Sequence, residues 1–337
     1  MPECTLCGEE KASRALKICK ACIRDRFEEA IPIIEKVHKD SRRDFNLPEK
    51  PPKDGVRCGF CVNECRIPLG EVGFCGVRGN LDGRIQNISS KAFVSCYHDP
   101  LPTNCVAMDF CEARSKRGLN LAVFYEACSF NCLFCQNWSH KRRSNVMSSK
   151  ELALKVNSDT YCICFFGGDP TPQLDHALKC SKLALEKRDL KICFETNGSS
   201  SLPLLKRMAK LSFNSGGTIK IDLKAYDEKL NLALCGVSNK NTLSNFEYLS
   251  KFSKERENFL VASTLLIPGY IDHIEVEKLA KFISNLNPEI PYCLLAFHPH
   301  FLMRDLERTS RRDAKKCFKI AKKYLMRVRI GNWWLLS

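Results

Sequence analysis

Cysteine is the residue that most constrains what this chain can fold into. The 337 residues include 21 cysteines, and 14 of these stand within the first 135 residues. Many are separated by only two or three residues and their total is odd, which disfavours a disulfide scaffold and favours metal or cluster ligation. The sequence therefore predicts a small N-terminal region stapled by metal, because small folds without a large core need such staples.

The rest of the composition is that of an ordinary globular protein. Hydrophobic residues make up 44% of the chain and charged residues 27%, which excludes disordered and fibrous classes. No run of 18 apolar residues occurs, and the first residues lack the basic-then-apolar pattern of a secretion signal. We therefore expect a cytoplasmic protein with no membrane partner.

The charge of the chain favours an acidic partner. The formal net charge is +15. Metal-bound thiolates are anionic, so filling two four-cysteine sites and one three-cysteine site lowers this charge to about +10. The remaining surplus favours an acidic protein or a polyanion such as RNA.

Cysteine content and hydrophobic periodicity divide the chain into three segments. A stretch containing Pro and Lys, 47–55, separates two cysteine-bearing modules, and Arg24 to Lys39 has the apolar spacing of a connecting helix. From Asn120 onward, strand-like and helix-like segments alternate. The predicted domains are 1–45, a zinc-ribbon-like module with its linking helix, 55–119, a cysteine-rich module, and 120–337.

Six βα units in the last segment predict an α/β fold with a parallel sheet and right-handed crossovers. Six units rather than eight indicate a partial (β/α)6 barrel that is open on one side. The predicted strands are Asn120–Tyr125, Thr160–Phe166, Lys191–Phe194, Thr218–Leu223, Phe259–Ile267 and Pro291–Phe297. The predicted helices are Lys150–Val156, Leu174–Lys187, Leu202–Leu211, Asn241–Phe252, Glu275–Leu286 and Arg311–Leu325.

The first cysteine set has the spacing of a closed tetrahedral site. Two Cys-x2-Cys pairs are separated by 11 residues, and four thiolates so spaced close around one structural zinc ion. A rubredoxin-type iron is the alternative. A closed site of this kind supports folding or docking and performs no chemistry. Its predicted ligands are Cys4, Cys7, Cys19 and Cys22.

The second cysteine set has mixed spacing, which fits an auxiliary 4Fe-4S cluster that relays electrons or binds substrate. Zinc is the alternative at this site. The predicted ligands are Cys58, Cys61, Cys65 and Cys75. Three further cysteines, Cys96, Cys105 and Cys111, are either ligands of another centre or ordinary buried thiols. The seven cysteines after residue 135 lie in apolar segments, and core packing is expected for each.

The loop after the first barrel strand carries the most informative pattern, Cys128-x3-Cys132-x2-Cys135. Three thiolates in so short a loop can hold a 4Fe-4S cluster and leave its fourth iron open to a substrate or cofactor. The loop stands at the carboxyl end of a strand, where βα barrels carry their active sites. A structural zinc loop with a fourth ligand from elsewhere is the alternative.

This pattern, with Phe134 before the last cysteine, resembles the signature of the radical S-adenosylmethionine (SAM) superfamily. The resemblance implies that the three cysteines hold the catalytic 4Fe-4S cluster and that SAM chelates the open iron. It also implies that Phe134 lies near the adenine of SAM. After the second strand, Gly167, Gly168 and Asp169 resemble the Gly-Gly-Glu-Pro segment that holds the methionine amino group in this family. Asp169 departs from the usual Glu, and a plain strand-to-helix turn is the alternative.

The third and fourth strands end in segments that resemble the activating enzymes of glycyl-radical enzymes, such as the pyruvate formate-lyase activating enzyme. The resemblance implies contacts with SAM and with a peptide substrate, with a cation nearby. Lys224 would complement a carboxylate directly, whereas Glu195 and Asp222 would do so only through a cation. Buried ion pairs at strand ends are the alternative. The residues concerned are Glu195, Thr196, Asn197, Asp222 and Lys224.

His298, after the sixth strand, is a candidate for contact with SAM or for capping a loop. Together these resemblances imply a radical SAM oxidoreductase of a reducing cytosol in an anaerobic or thermophilic cell, served by a low-potential electron donor of the ferredoxin or flavodoxin type. Its expected reaction is the reductive cleavage of SAM and hydrogen abstraction from a macromolecule, with protein as the first hypothesis. The alternatives are an RNA-modifying radical SAM enzyme and a non-catalytic zinc or iron–sulfur protein that binds nucleic acid.

Overall fold

The computed structural model describes residues 1–337, and its secondary structure consists of thirteen strands and nine α-helices. The strands are β1 (Val56–Arg57), β2 (Arg66–Ile67), β3 (Arg78–Leu81), β4 (Arg84–Asn87), β5 (Ala92–Pro100), β6 (Leu119–Tyr125), β7 (Val146–Met147), β8 (Thr160–Phe166), β9 (Lys191–Thr196), β10 (Ile219–Asp222), β11 (Leu260–Leu266), β12 (Tyr292–Ala296) and β13 (Val328–Gly331). The helices are α1 (Lys20–Asp25), α2 (Phe27–Arg43), α3 (Ser149–Ala153), α4 (Leu174–Leu185), α5 (Leu202–Asn214), α6 (Glu228–Cys235), α7 (Lys240–Ser253), α8 (His273–Leu286) and α9 (Arg311–Ala321). None of the helices combines the length and the apolar character that a transmembrane span requires.

One nine-stranded sheet dominates the fold, in the order β13-β12-β11-β10-β9-β8-β6-β5-β7. Seven neighbouring strands of this sheet, from β13 to β6 in the order given, run parallel to one another. At the edge beyond β6, β5 pairs antiparallel with β6, and β7 pairs antiparallel with β5. Every residue of β11 is buried, as expected for a parallel strand covered on both faces. Because the two edge strands do not pair with each other, the barrel is partial, as the sequence predicts.

The six predicted barrel strands are confirmed as β6, β8, β9, β10, β11 and β12. The structure adds β13, which extends the parallel sheet, and β5, which pairs along the whole of β6. The predicted connecting helix is interrupted at Arg26, whose ψ of 45° is not helical, so α1 and α2 are separate. Helix α6 was not predicted. Asp227 caps its N-terminus, because the Asp227 carboxylate accepts a hydrogen bond from the N–H of Leu230.

The N-terminal cysteine modules pack onto the carboxyl end of the barrel. Leu16, Ile18 and Ile34 share one buried apolar cluster with Phe130 and Tyr270. The hydroxyl of Tyr270 also accepts a hydrogen bond from the N–H of Ser13 and donates to the carbonyl of Ile18, at 2.9 and 3.0 Å. The predicted domain boundaries stay a prediction, because this shared core joins the segments.

The connection 101–118 between β5 and β6 enters the barrel. It packs Val106 and Ala107 against Val261 and Cys293, which lie on β11 and β12. Arg329 on the edge strand β13 forms an ion pair with Asp109 of this connection. The connection therefore closes part of the gap that the partial barrel leaves open.

Candidate active site

A cavity of about 230 Å³ opens at the carboxyl ends of the barrel strands. It is bounded by the loop after β6, by the segment after β8, and by the ends of β9 and β10. Sequence-predicted residues supply about half of its wall. Those that line it are Cys128, Cys132, Phe134, Cys135, Gly167, Gly168, Asp169, Glu195, Thr196, Asn197, Asp222 and Lys224.

The cysteine loop after β6 is held by helix α6 and by β9. The N–H groups of Asn131 and Leu133 donate to the carbonyls of Cys235 and Leu234, at 2.9 and 3.0 Å. The sulfur of Cys128 accepts hydrogen bonds from the N–H of Phe130 at 3.3 Å and from the side-chain amide of Asn197 at 3.7 Å. Donors aimed at a sulfur favour its thiolate form, which is the form that binds iron.

Positive charges surround this loop. The ammonium group of Lys224 lies within an ion pair with Asp222 and 5.6 Å from the centre of the Phe134 ring. Burial alone would lower the pKa of Lys224, but Asp222 and the thiolate of Cys132 outweigh burial and raise that pKa. A cation beside three half-buried thiols is compensated when the sulfurs are anionic, so this donor set fits a cluster held by three thiolates.

Gly167 and Gly168, which follow β8, lie too close to β6 and the residues after it for a side chain to fit. Both have positive φ angles, and a Cβ at Gly168 would collide with the carbonyl oxygens of Tyr125 and Ala127. A Cβ at Gly167 would collide with Phe124. The two glycines are thus required by the close approach of β6, whatever ligand the cavity holds.

Asp169 is 1% exposed and ties two loops together. Its carboxylate accepts hydrogen bonds from the N–H of Thr171, the hydroxyl of Thr196 and the N–H of Asn197, each at 2.8 Å. Burial raises the pKa of Asp169, and these three donors oppose that shift. The carboxylate therefore fixes Asn197, which in turn contacts Cys128.

Glu195 and Asp222 each have a lysine partner at the strand ends. Lys220, which is 1% exposed, places its ammonium 3.5 Å from the carboxylate of Glu195. The same ammonium donates to the sulfurs of Cys105 and Cys164, at 3.1 and 2.9 Å. The ion-pair alternative for these acidic residues is thus present in the structure, and Lys220 is a partner that the sequence analysis did not identify.

His298 lies outside the cavity wall. Its ring contacts the carbonyl of Pro299 at 3.1 Å and the guanidinium of Arg308 at 3.5 Å. The ring of His298 thus contacts residues of its own loop, and its contact with SAM stays a prediction.

Several residues of the cavity wall were not predicted from sequence. Asn104, Cys105 and Val106 come from the connection 101–118, and Arg329 and Asn332 come from β13 and the residue after it. Cys105 had been singled out only as a candidate ligand. Cys105 and Cys111 also border a second space of about 30 Å³, together with three strand cysteines, Cys162, Cys164 and Cys193.

The first cysteine set forms a compact site. The four sulfurs of Cys4, Cys7, Cys19 and Cys22 all lie within 4.8 Å of one another. Four sulfurs about 2.3 Å from a single zinc ion lie at such mutual distances. Burial alone would raise the pKa of Cys4, but N–H groups, including that of Cys19, outweigh it and lower that pKa to about 6. The set fits one tetrahedral metal ion.

The second cysteine set also converges, although its sulfurs are more widely spread. Every pair among Cys58, Cys61, Cys65 and Cys75 is close enough for one thiolate to raise the pKa of another. Burial is nevertheless the larger cause and raises the pKa of Cys58 to about 11. No three of these sulfurs lie within 4.8 Å of one another, and the same holds for Cys128, Cys132 and Cys135.

Comparison with known proteins agrees with this geometry. The model of the "Radical SAM superfamily" matches residues 122–283, the part of the chain that holds the cysteine loop and the strand ends. A protein of Methanocaldococcus jannaschii with the name "Putative glycyl-radical enzyme activating enzyme" is 31% identical over 204 residues, which cover 60% of this chain and 76% of the relative. The "Pyruvate formate-lyase 1-activating enzyme" of Escherichia coli is 23% identical over 194 residues, covering 54% of this chain and 75% of that enzyme.

Among solved structures, SuiB of Streptococcus suis bound to its precursor peptide SuiA aligns with a TM-score of 0.48 at 15% identity. The alignment covers 60% of this chain and 46% of SuiB. The cysteine loop, the parallel barrel and the sequence relatives lead to one family, and this chain belongs to the radical SAM superfamily.

Proposed function

We propose that this chain is a radical SAM enzyme of the activating type, which takes a hydrogen atom from a protein substrate. The observation that carries the proposal is the cavity that Cys128, Cys132 and Cys135 share with the ends of β8, β9 and β10. A 4Fe-4S cluster with SAM supplies, when bound there, a one-electron cleavage that yields methionine and a 5′-deoxyadenosyl radical.

The chain's own residues have distinct parts in this proposal. Asn197 and the N–H of Phe130 stabilise the thiolate of Cys128, and Asp169 positions Asn197. Phe134, Leu265 and Leu295 give the cavity apolar walls that keep water from a reactive radical. Lys224 lies close enough to Cys132 for that thiolate to raise its pKa, and it is proposed to bind a carboxylate of SAM or of the substrate.

A protein substrate is favoured over a free metabolite by two features. The named relatives at 31% and 23% identity are activating enzymes. The N-terminal region also adds two cysteine sites that a small-molecule pocket would not require. RNA, which the formal charge of +15 also suits, is the competing substrate.

The test is SAM cleavage by anaerobically reconstituted protein with dithionite as reductant. Wild type is expected to release methionine and 5′-deoxyadenosine, and Cys132→Ala is expected to release neither. Cys180→Ala is the matched control, because this thiol of α4 is fully buried in the apolar core and lies outside the cavity. Cleavage by Cys132→Ala at the wild-type rate would disprove the assignment.

A further inference from the structure

The second cysteine set lies next to the cysteine loop after β6, which carries Cys128, Cys132 and Cys135 and which we here call the catalytic loop. Cys75 and Cys128 both line one small cavity of about 10 Å³, which we call the junction cavity. Its wall also includes Arg42, His140, Lys141 and Arg143. A space of this size holds at most about one water molecule, so little separates the two thiol sites.

Hydrogen bonds also connect the second cysteine set to the loop that carries Cys128. The side-chain amide of Asn63, which is buried, donates to the carbonyl of Ser129 at 2.7 Å and to the sulfur of Cys61 at 3.6 Å. Ser129 follows Cys128 in the chain, and its hydroxyl bonds to that of Ser199 at 2.8 Å. The N–H of Val62 donates to the carbonyl of Ser199 at 3.0 Å. The second module is therefore fixed against the catalytic loop by bonded contacts.

Buried cations fill the space between the sites. Arg42 is 1% exposed, and its guanidinium donates to the carbonyl of Phe74 and lies 3.4 Å from the centre of the Phe74 ring. Burial lowers the pKa of Arg42 to about 10, and the thiolates of Cys75, Cys128 and Cys65 oppose that shift. One cation thus faces sulfurs of both sites. Its buried guanidinium also donates to the carbonyl of Pro48, and negative charge on the sulfurs would further compensate its burial.

The distances between the sulfurs of the second cysteine set favour an iron–sulfur centre over a single zinc ion. The first cysteine set gathers its sulfurs within 4.8 Å, as a single ion requires, whereas no three sulfurs of the second set are so close. A cluster distributes its ligands over several irons and therefore suits a wider set. The catalytic loop has the same wide spread.

The position of the second cysteine set distinguishes between the two roles of an auxiliary cluster, which are relaying electrons and binding substrate. None of Cys58, Cys61, Cys65 and Cys75 lines the 230 Å³ cavity. A centre that binds substrate would have to face that cavity. Cys75 of this set instead shares the junction cavity with Cys128, and Asn63 links Cys61 to the carbonyl of Ser129, which suits electron transfer.

We infer that Cys58, Cys61, Cys65 and Cys75 hold an iron–sulfur centre that passes single electrons across the junction cavity to the Cys128 site. The inference rests on the proposed function. Each electron leaves an external low-potential carrier, which is oxidised by one electron, and reduces the relay centre by one. The relay centre is reoxidised as the electron moves on, and no bond forms or breaks.

The outer side of the module suits an acidic carrier. Lys53, Arg57 and Arg66 are exposed around this cysteine set, and the exposed Asp54 and Glu64, the second of which pairs with Arg57, leave a surplus of one positive charge. Cys58, Cys61 and Cys75 are half-buried, so the centre reaches close to the surface. A small redox protein with an acidic face would be steered to this surface by charge.

The first test leaves the four proposed relay cysteines unchanged. In the triple variant Cys128→Ala/Cys132→Ala/Cys135→Ala, anaerobic reconstitution is expected to leave about four irons and a reducible EPR signal. Zinc without iron in this variant would overturn the inference. In fully reduced wild type, the two neighbouring centres are expected to broaden or split each other's EPR signals. A spectrum equal to the sum of two isolated centres would also overturn it.

The second test compares two electron sources. SAM cleavage is driven by dithionite, which reaches the Cys128 site directly, or by a reduced flavodoxin. In Cys58→Ala/Cys75→Ala the ratio of the flavodoxin-driven rate to the dithionite-driven rate should fall by about tenfold or more. In the control Cys180→Ala/Cys317→Ala, whose thiols are buried in the helical core, the ratio should stay at the wild-type value. An unchanged ratio in the relay variant would refute the relay.

Failure of the relay and failure of the proposed function are distinguishable. If wild type does not cleave SAM with dithionite, the proposed function fails. The iron count and the EPR coupling still decide whether a second centre lies beside the first. If the relay variant does not fold, the EPR spectrum of wild type decides the question without it.

Discussion

His38 on α2 is expected to make the packing of the N-terminal region against the cysteine loop after β6 sensitive to acid. Its Nε2 lies 3.0 Å from the carbonyl of Ala233, and its Nδ1 lies 3.0 Å from the side-chain amide of Asn131. This geometry assigns the proton to Nε2, with Nδ1 accepting from the amide of Asn131. Lys141 and Arg42 are the charged groups that face the ring, and both oppose a positive charge on it.

The size of the effect follows from the pKa of His38. Burial is the main cause that lowers this pKa to about 4, against about 6.5 in an unfolded chain. Because the folded pKa is depressed, the unfolded chain binds more protons, and stability falls as the pH drops from about 6.5 towards 4. Between pH 7 and pH 5 the His38 share of this loss is about 2 kcal/mol.

The assay is urea unfolding of wild type and His38→Gln at pH 7 and at pH 5. Gln keeps one donor and one acceptor but does not titrate, so the variant should lose about 2 kcal/mol less than wild type over this interval. His140, whose pKa burial lowers to about 3, contributes equally to both proteins and cancels. Equal losses in the two proteins would show that His38 is not held neutral, and the reasoning would be wrong.

Three further predictions concern stability at other points of contact. Asp169→Ala leaves two backbone N–H donors without their acceptor and should cost about 2–4 kcal/mol in urea unfolding; a loss below about 0.5 kcal/mol would contradict the network. Arg24→Met removes the ion-pair partner of the fully buried Glu275 and should cost about 3–5 kcal/mol, and adding Glu275→Gln should restore part of this loss. Cys22→Ala should lose one tightly bound metal ion and lower Tm by about 4 °C or more, and an unchanged metal count would contradict the tetrahedral site.

The sequence predicted the barrel well because its strands carry strong signals. The six strands are runs of buried apolar residues followed by cysteine, glycine or polar residues, and parallel strands bring those ends to one edge. This is why Cys128, Gly168, Asn197 and Asp222 could be expected near one another before their positions were known. The cysteine spacing of the first module likewise predicted a single-ion site, whose compact sulfur geometry is present.

Other features depend on contacts between distant segments, which spacing does not reveal. Strand β13 is short and only half-buried along most of its length, so its hydrophobic pattern is weak. Lys220 lies within a strand, and nothing in the sequence indicates that its partners are Glu195 and Cys105. Arg42 belongs to an amphipathic helix, and its place between two cysteine sites follows only from the docking of α2.

The central claim, that the cavity takes hydrogen from a protein, is tested most directly by isotope transfer. The reconstituted enzyme is incubated with SAM and dithionite in the presence of a deuterated cell protein fraction, and in parallel with deuterated RNA. The mass of the 5′-deoxyadenosine released is then measured. Our account predicts deuterium in 5′-deoxyadenosine from the protein fraction only; deuterium from RNA, or from a deuterated small-metabolite fraction instead of protein, would contradict it.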